Sequence, residues 1–132
     1  MNKIIISVIL ISFTSFAYSQ STIEPGTWKP QKAVDEFGVP CSNKIIKDFS
    51  IEFKSNNKYV RKAFNSNGND PIVTDGNYKI VNDTLIIDFS IGAYIAENKF
   101  PIIKIEKYLL VLDYNLCAKR DSVATARLEL VK

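Results

Sequence analysis

The chain contains no histidine and only two cysteines among its 132 residues. Without histidine, the sequence cannot supply a Ser-His or Cys-His nucleophile pair, a histidine general base or the usual zinc ligands. The formal net charge is only +3, which is too small to indicate nucleic acid or an anionic surface as a partner. We therefore expect a protein that is not an enzyme and that uses no metal or other cofactor.

Long apolar runs are also missing, apart from one near the start of the chain. Lys3 is followed by a mainly apolar stretch, residues 4–13, and then by Thr14 and Ser15; Ala17 and Ser19 fit the small residues three and one before a cleavage point. This order is typical of a secretory signal peptide; the alternative, a membrane anchor, needs roughly 20 apolar residues. We expect residues 1–19 to be a cleaved signal peptide without a lipid-anchoring cysteine. Residues 20–132 then form one secreted or periplasmic domain with no membrane span.

No helical periodicity longer than two turns is found, and apolar residues instead alternate with polar ones. The clearest case is the segment 76–89, in which this alternation continues on both sides of the pair Asn82 and Asp83. The pattern is typical of a tight antiparallel hairpin with one buried face. The same signal predicts eight strands, near residues 26–34, 49–53, 58–64, 76–81, 84–89, 102–106, 108–114 and 126–131.

The lengths of the connections predict how these strands are arranged. Three connections are tight turns and four are expected to be long, among them residues 65–75, 90–101 and 115–125. In an up-and-down order the four long connections fall at one end, which we call the open end. Pairing of the first strand with the last removes both free sheet edges. The sequence thus predicts an all-β, eight-stranded antiparallel up-and-down barrel, whose interior holds packed side chains or one small ligand.

Cys41 and Cys117 lie in two predicted loops at the open end, next to the strands that close the barrel. In an exported chain, two cysteines favour a disulfide. The alternative is a redox-active or metal-binding pair, which usually has a Cys-x-x-Cys spacing or histidine neighbours. Neither feature is present, so we expect a structural disulfide.

Several residue patterns resemble those of a known family. They are Gly26-x-Trp28 in the first strand, Phe53, Tyr78 and the run Leu110-Val111-Leu112. This series is similar to lipocalin-like domains of the calycin superfamily, most of all to the short ones exported by Bacteroidetes-type bacteria. The resemblance implies the same barrel and a basic residue of the last strand packed over Trp28, for which Arg127 is the counterpart. Such a cation–π contact contributes roughly 0.5–2 kcal/mol, but the alternation of the last strand turns Arg127 outward.

Polar clusters give weaker indications of chemistry. Ser55 and Lys58 have the Ser-x-x-Lys spacing, but they fall in a predicted hairpin turn rather than at the start of a helix. The pair Asp48 and Glu52 is expected on a solvated outer face. Asn69, Asp70 and Asp75 match no calcium-binding loop.

Aromatic residues are the strongest candidates for a binding site. As core residues they would fill the barrel; as lining residues they would form an apolar pocket with a few polar contacts. The expected ligand-binding residues are Phe53, Phe64, Tyr78, Phe89 and Tyr114 inside the barrel, and Tyr94 and Phe100 at its mouth. We expect a monomeric, non-catalytic carrier of a small apolar ligand. The alternative is a protein-interaction module, of the inhibitor or immunity type, that acts through the open-end loops.

Overall fold

The computed structural model describes residues 22–117 and 126–132, so the predicted signal peptide lies outside the described residues. The elements are β1 (Gly26–Val34), α1 (Asn43–Asp48), β2 (Ser50–Phe53), β3 (Lys58–Ala63), β4 (Ile72–Val81), β5 (Thr84–Ile91), β6 (Tyr94–Ile105), β7 (Leu109–Leu112) and β8 (Arg127–Val131). The strands form a closed barrel in which sequence neighbours pair antiparallel and β8 pairs with β1. The predicted fold class is confirmed. Within the described ranges, no helix is long and apolar enough to cross a membrane.

Closure of the barrel depends on β1, which pairs with two different strands. Its first residues pair with β2 and its later residues pair with β8. The register with β8 shifts between Pro30 and Lys32. Proline has no backbone N–H and cannot complete a regular ladder, so an irregularity at this position lets the strand bend between its two partners.

The hairpin predicted around Asn82 and Asp83 is present. Both residues have positive φ angles, 48° and 57°, as a type I′ turn requires. Val81 pairs with Thr84 across this turn, and the ladder between β4 and β5 continues to Tyr78 opposite Ile87. Asparagine and aspartate tolerate this left-handed conformation better than most residues, which explains why the turn was recognisable in the sequence.

The predicted long connection at residues 90–101 is wrong. β5 continues to Ile91, β6 starts at Tyr94, and the two strands are joined by a two-residue turn that begins at Gly92, with φ 59°. One of the four connections at the open end is therefore a tight turn. Ile91 and Tyr94 are both exposed, so this part of the hairpin has no buried face to impose a period of two on the sequence.

The start of β4 also differs from the prediction, and the first long connection contains a short helix. β4 begins at Ile72, inside the segment 65–75 expected to be a loop. In the first long connection, α1 follows Ser42, whose side chain accepts a hydrogen bond from the backbone N–H of Ile45 at 3.4 Å. A serine at this position is a favourable helix N-cap, and it stabilises a short helix beside the open end.

The barrel interior is filled by side chains rather than empty. Trp28, Leu110, Leu112, Leu128 and Leu130 each have 0% exposure. They share the hydrophobic core with other buried residues, including Ile23, Phe49, Ile51, Phe53, Tyr59, Leu85 and Ile87. A dry, close-packed interior of this kind supplies most of the driving force for folding.

Arg127 does not lie near Trp28, contrary to what the family resemblance implied. Arg127 is exposed and pairs with Val34, six residues beyond Trp28 along β1, which is roughly 20 Å in an extended strand. The indole N–H of Trp28 instead donates to the carbonyl oxygen of Glu24 at 2.9 Å. The basic residue beside this part of β1 is Lys132, whose Nζ lies 3.9 Å from Oε1 of Glu24.

Candidate ligand cleft at the open end

The predicted disulfide is present and anchors the open end. Cys41 and Cys117 are bonded with a Cα–Cα distance of 5.3 Å across a sequence separation of 76 residues. Cys41 is buried and its backbone N–H donates to the carbonyl oxygen of Ala33 at 3.0 Å. The bond therefore fastens the chain that leaves β7 to the chain that follows β1.

Two of the predicted ligand-binding aromatics fill the barrel instead of lining a space. Phe53 has 1% exposure, and its ring packs edge-on against Tyr78 at a centroid distance of 4.9 Å. Tyr78 is half-buried against the same core. Both rings are therefore part of the packed interior, where they stabilise the fold.

Tyr114 closes the core at the open end. Its ring lies 5.6 Å from the ring of Phe49 and 4.5 Å from that of Phe100, measured between centroids. These three aromatics come from the residue between α1 and β2, from β6 and from the segment after β7. Burial raises the pKa of Tyr114, and the nearby Arg61 partly opposes this shift. The phenol is thus neutral at ordinary pH and available as a hydrogen-bond partner.

A cleft of about 410 Å³ lies next to Tyr114. It is lined by Ile45, Ala63, Phe64, Ser66, Tyr114, Asn115, Leu116 and Cys117. These residues come from α1, from the end of β3 and from the segment that the disulfide fastens. The cleft thus brings together two of the predicted ligand-binding residues, Phe64 and Tyr114, with a wall that the sequence analysis did not identify.

Arg61 is a functional candidate that the sequence analysis missed. It lies between Ile51 and Thr74 in the sheet register, on the same strand face as the buried Tyr59. The guanidinium of Arg61 therefore enters the barrel, where its Nη1 donates to the hydroxyl of Tyr114 at 3.3 Å. The spacing of two between Tyr59, Arg61 and Ala63 would have shown this orientation. The sequence analysis placed Phe64 inside the barrel, and strict alternation from Phe64 turns Arg61 outward. β3 ends at Ala63, so Phe64 does not follow this alternation.

The remaining predicted residues lie on or near the hairpin of β5 and β6. Phe100 is half-buried against the core, and Phe89 is half-buried on the same face as the buried Leu85 and Ile87. Tyr94 is 79% exposed at the tip. Within the described chain, β5 pairs with β4 only as far as Ile87. β6 similarly pairs with β7 only from residue 102 onward.

Residues 88–97 consequently extend from the barrel as a two-stranded ribbon, which we call the hairpin arm. Ile91, Tyr94 and Ile95 are 59%, 79% and 75% exposed on it. Ile91 and Tyr94 are register partners and share one face of the ribbon, whereas Ile95 lies on the other face. The hairpin arm is thus a second candidate surface at the open end.

The hairpin arm begins where β4 and β5 separate, next to Gly76. Tyr59 is the register partner of Gly76, and its hydroxyl donates to the carbonyl oxygen of Asp88 at 2.8 Å. The Asp88 carboxylate accepts from the backbone N–H of Asn77 at 2.6 Å. A Cβ at Gly76 would overlap the carbonyl oxygen of Asp88, so the absence of a side chain allows this close approach.

Comparisons with known proteins support the fold and leave the function open. No family model matches the chain, and no curated protein matches it. A crystal structure of an uncharacterized protein from Bacteroides eggerthii is similar, with a TM-score of 0.58 and 12% sequence identity. The similarity covers 82% of this chain and 98% of that protein. At this identity the match establishes a shared fold alone.

Proposed function

We propose that the protein is an exported, non-catalytic, lipocalin-like binding protein whose open end holds one small, mainly apolar ligand. The observation that supports this proposal is the cleft of about 410 Å³ beside Tyr114. Ligand pockets typically enclose about 300–1,000 Å³ and combine apolar walls with a few polar groups. Ala63, Phe64 and Leu116 supply apolar walls, and the Tyr114 phenol supplies a polar group.

The ligand lies at the mouth of the barrel rather than at its centre. The centre is occupied by fully buried side chains such as Trp28, Leu112 and Leu128, and displacing them would sacrifice the core. The Cys41–Cys117 disulfide fits an oxidising compartment, which is consistent with export. It also holds one wall of the cleft in place, so less ordering is needed on binding.

An experiment on β3 tests this proposal. Ala63→Trp places a large ring in the cleft, whereas Lys62→Trp places the same ring on the neighbouring exposed position of the strand. Native mass spectrometry would be applied to each protein after detergent-free purification from its own host. We expect the wild type and Lys62→Trp to carry the same small bound mass and Ala63→Trp to carry none. A wild type with no bound mass, or an Ala63→Trp protein that retains it, would contradict the proposal.

The hairpin arm favours a second candidate function, in which the open end binds a protein. The side chains of Tyr94 and Ile95 are 79% and 75% exposed. Aromatic and aliphatic residues of this kind commonly act as anchors in protein interfaces. A protein partner would cover them and would also complete the unpaired strand edges of the arm.

A matched pair of variants tests this second candidate. Tyr94→Ser with Ile95→Ser removes the anchors of the arm, while Tyr108→Ser with Val81→Ser removes exposed apolar residues at the opposite end of the barrel. We expect one protein to co-purify stoichiometrically with the wild type and with the opposite-end variant, but not with the arm variant. Equal recovery with both variants would exclude the hairpin arm as the binding surface.

A further inference from the structure

Arg61 is a charged side chain inside the barrel, and the described residues give it no ion-pair partner. Its neighbours on the inner surface are Ile51 and Thr74, and its own side chain is half-buried. In residues 22–117 and 126–132, no carboxylate forms an ion pair with it. Since the guanidinium stays charged at every physiological pH, its partial desolvation is only weakly compensated.

Most N–H donors of the Arg61 guanidinium have no acceptor among the described residues. Across the described part of the chain, one contact involves its guanidinium, from Nη1 to the Tyr114 hydroxyl at 3.3 Å. A guanidinium has five N–H donors, and a neutral phenol is a weaker acceptor than a carboxylate. The arrangement leaves room for an anionic acceptor that binds two N–H groups at once.

Asp88 and Asp75, two carboxylates that act on the neighbouring Tyr59, are directed elsewhere. Asp88 accepts from the backbone N–H of Asn77 at 2.6 Å. Asp75 pairs with Val60 on the outer face of the sheet and is exposed. Neither of them therefore neutralises the charge of Arg61 inside the barrel.

Tyr114 connects Arg61 to the cleft. The Tyr114 side chain lines the cleft, and its hydroxyl is the acceptor for Arg61. Ala63, the next inward residue of β3 after Arg61, also lines the cleft. A ligand that fills the cleft with its apolar part can therefore direct a polar end toward Arg61 and Tyr114.

We infer that Arg61 and Tyr114 form an anion subsite beside the cleft, and that the ligand is an amphiphile with a carboxylate head group. This inference rests on the proposed function, since the cleft must first hold the apolar part of the ligand. Arg61 forms a charge-assisted pair with the carboxylate, and the Tyr114 hydroxyl donates a second bond. Partial burial removes water from the Arg61 guanidinium, and a bound carboxylate would supply the hydrogen bonds that this water no longer provides.

The test compares two probes of equal chain length, decanoate and 1-decanol, by isothermal titration calorimetry at concentrations below aggregation. Three proteins are compared: the wild type, Arg61→Met and Lys62→Met. The two variants lose the same charge from adjacent residues, but Lys62 is exposed on the outer face. We expect the wild type and Lys62→Met to bind decanoate at least about tenfold more tightly than 1-decanol. Arg61→Met should bind both probes within about threefold of each other.

The possible results separate the two proposals. Similar affinity for both probes in all three proteins would overturn the anion subsite while leaving the apolar cleft intact. No binding of either probe to the wild type would overturn both. If Arg61→Met fails to fold by circular dichroism, Arg61→Lys takes its place. This variant keeps the charge but loses the planar pair of donors. Its preference for decanoate over 1-decanol should therefore be weaker than that of the wild type, but it should not vanish.

Discussion

Replacement of Gly76 by alanine tests how closely β4 and β5 approach each other. The added methyl group would overlap the carbonyl oxygen of Asp88, which is a backbone atom and cannot rotate away. Overpacking of this kind costs about 1–3 kcal/mol. Displacing Asp88 would also weaken its hydrogen bond from Tyr59, worth about 1 kcal/mol. The lower entropy of the unfolded alanine chain offsets about 0.4–1 kcal/mol of this loss.

The net expectation is a free energy of unfolding lower by about 1–3.5 kcal/mol, measured by urea denaturation with an unchanged m-value. Gly68→Ala is the matched control, because a Cβ there would meet only the flexible side chain of Asn65. It should change stability by no more than about 0.5 kcal/mol. Tyr59→Phe isolates the hydrogen bond and should cost about 1 kcal/mol. A loss below about 0.5 kcal/mol for Gly76→Ala would refute the close approach.

Further predictions concern the disulfide, the buried phenol and the hairpin arm. Replacing Cys41 and Cys117 together by alanine should lower the free energy of unfolding by about 4.5 kcal/mol, the chain-entropy value for a loop of 76 residues, as measured by urea denaturation. Burial raises the pKa of Tyr114. The contribution of its neutral phenol to the free energy of unfolding is therefore fully present below the unfolded pKa of 10.0 and is lost as the pH rises through the folded pKa. The urea midpoint should therefore fall as the pH rises above 10.0, and it should fall less in Tyr114→Phe; equal slopes would contradict this. Tyr94→Ser with Ile95→Ser should change the unfolding free energy by less than about 0.5 kcal/mol, because both residues are largely exposed.

The closed barrel was predictable because its signals are local and strong. Asn82 and Asp83 tolerate the positive φ angles of a type I′ turn, and the flanking strands each bury one face. The disulfide followed from topology, since an up-and-down order places the loops of Cys41 and Cys117 beside each other at the closure. Both the turn and the disulfide depend on residue types that favour few other structures in these positions.

The hairpin arm could not be predicted from alternation. Within the described chain, residues 88–97 pair only with each other, and none of them is fully buried. Under these conditions no selection for a period-two apolar pattern acts on the sequence, and the segment resembles a loop. Gly92 and Pro101 belong to the residue types that usually mark loops, but Gly92 occupies a tight turn and Pro101 lies within β6.

The candidate site was only partly predictable, for a different reason. Its residues come from α1, β3 and the segment after β7, so their proximity depends on barrel closure rather than on spacing in the sequence. Arg61 is the instructive example, because lysine and arginine on a strand usually face solvent. The orientation of Arg61 is set by Tyr59, which fills the interior two residues earlier.

Tyr114 joins the stability of the barrel to the chemistry of the open end. Its ring packs on Phe49 and Phe100, so its position is fixed by the core. Its hydroxyl accepts a hydrogen bond from Arg61, so the position of this acceptor for the inward guanidinium is fixed by the same packing. A site of this kind requires little reorganisation on binding, because the aromatic contacts already hold the polar atoms in place. The packed interior is therefore compatible with a ligand at the open end, because core packing holds the polar atoms of the candidate site in fixed positions.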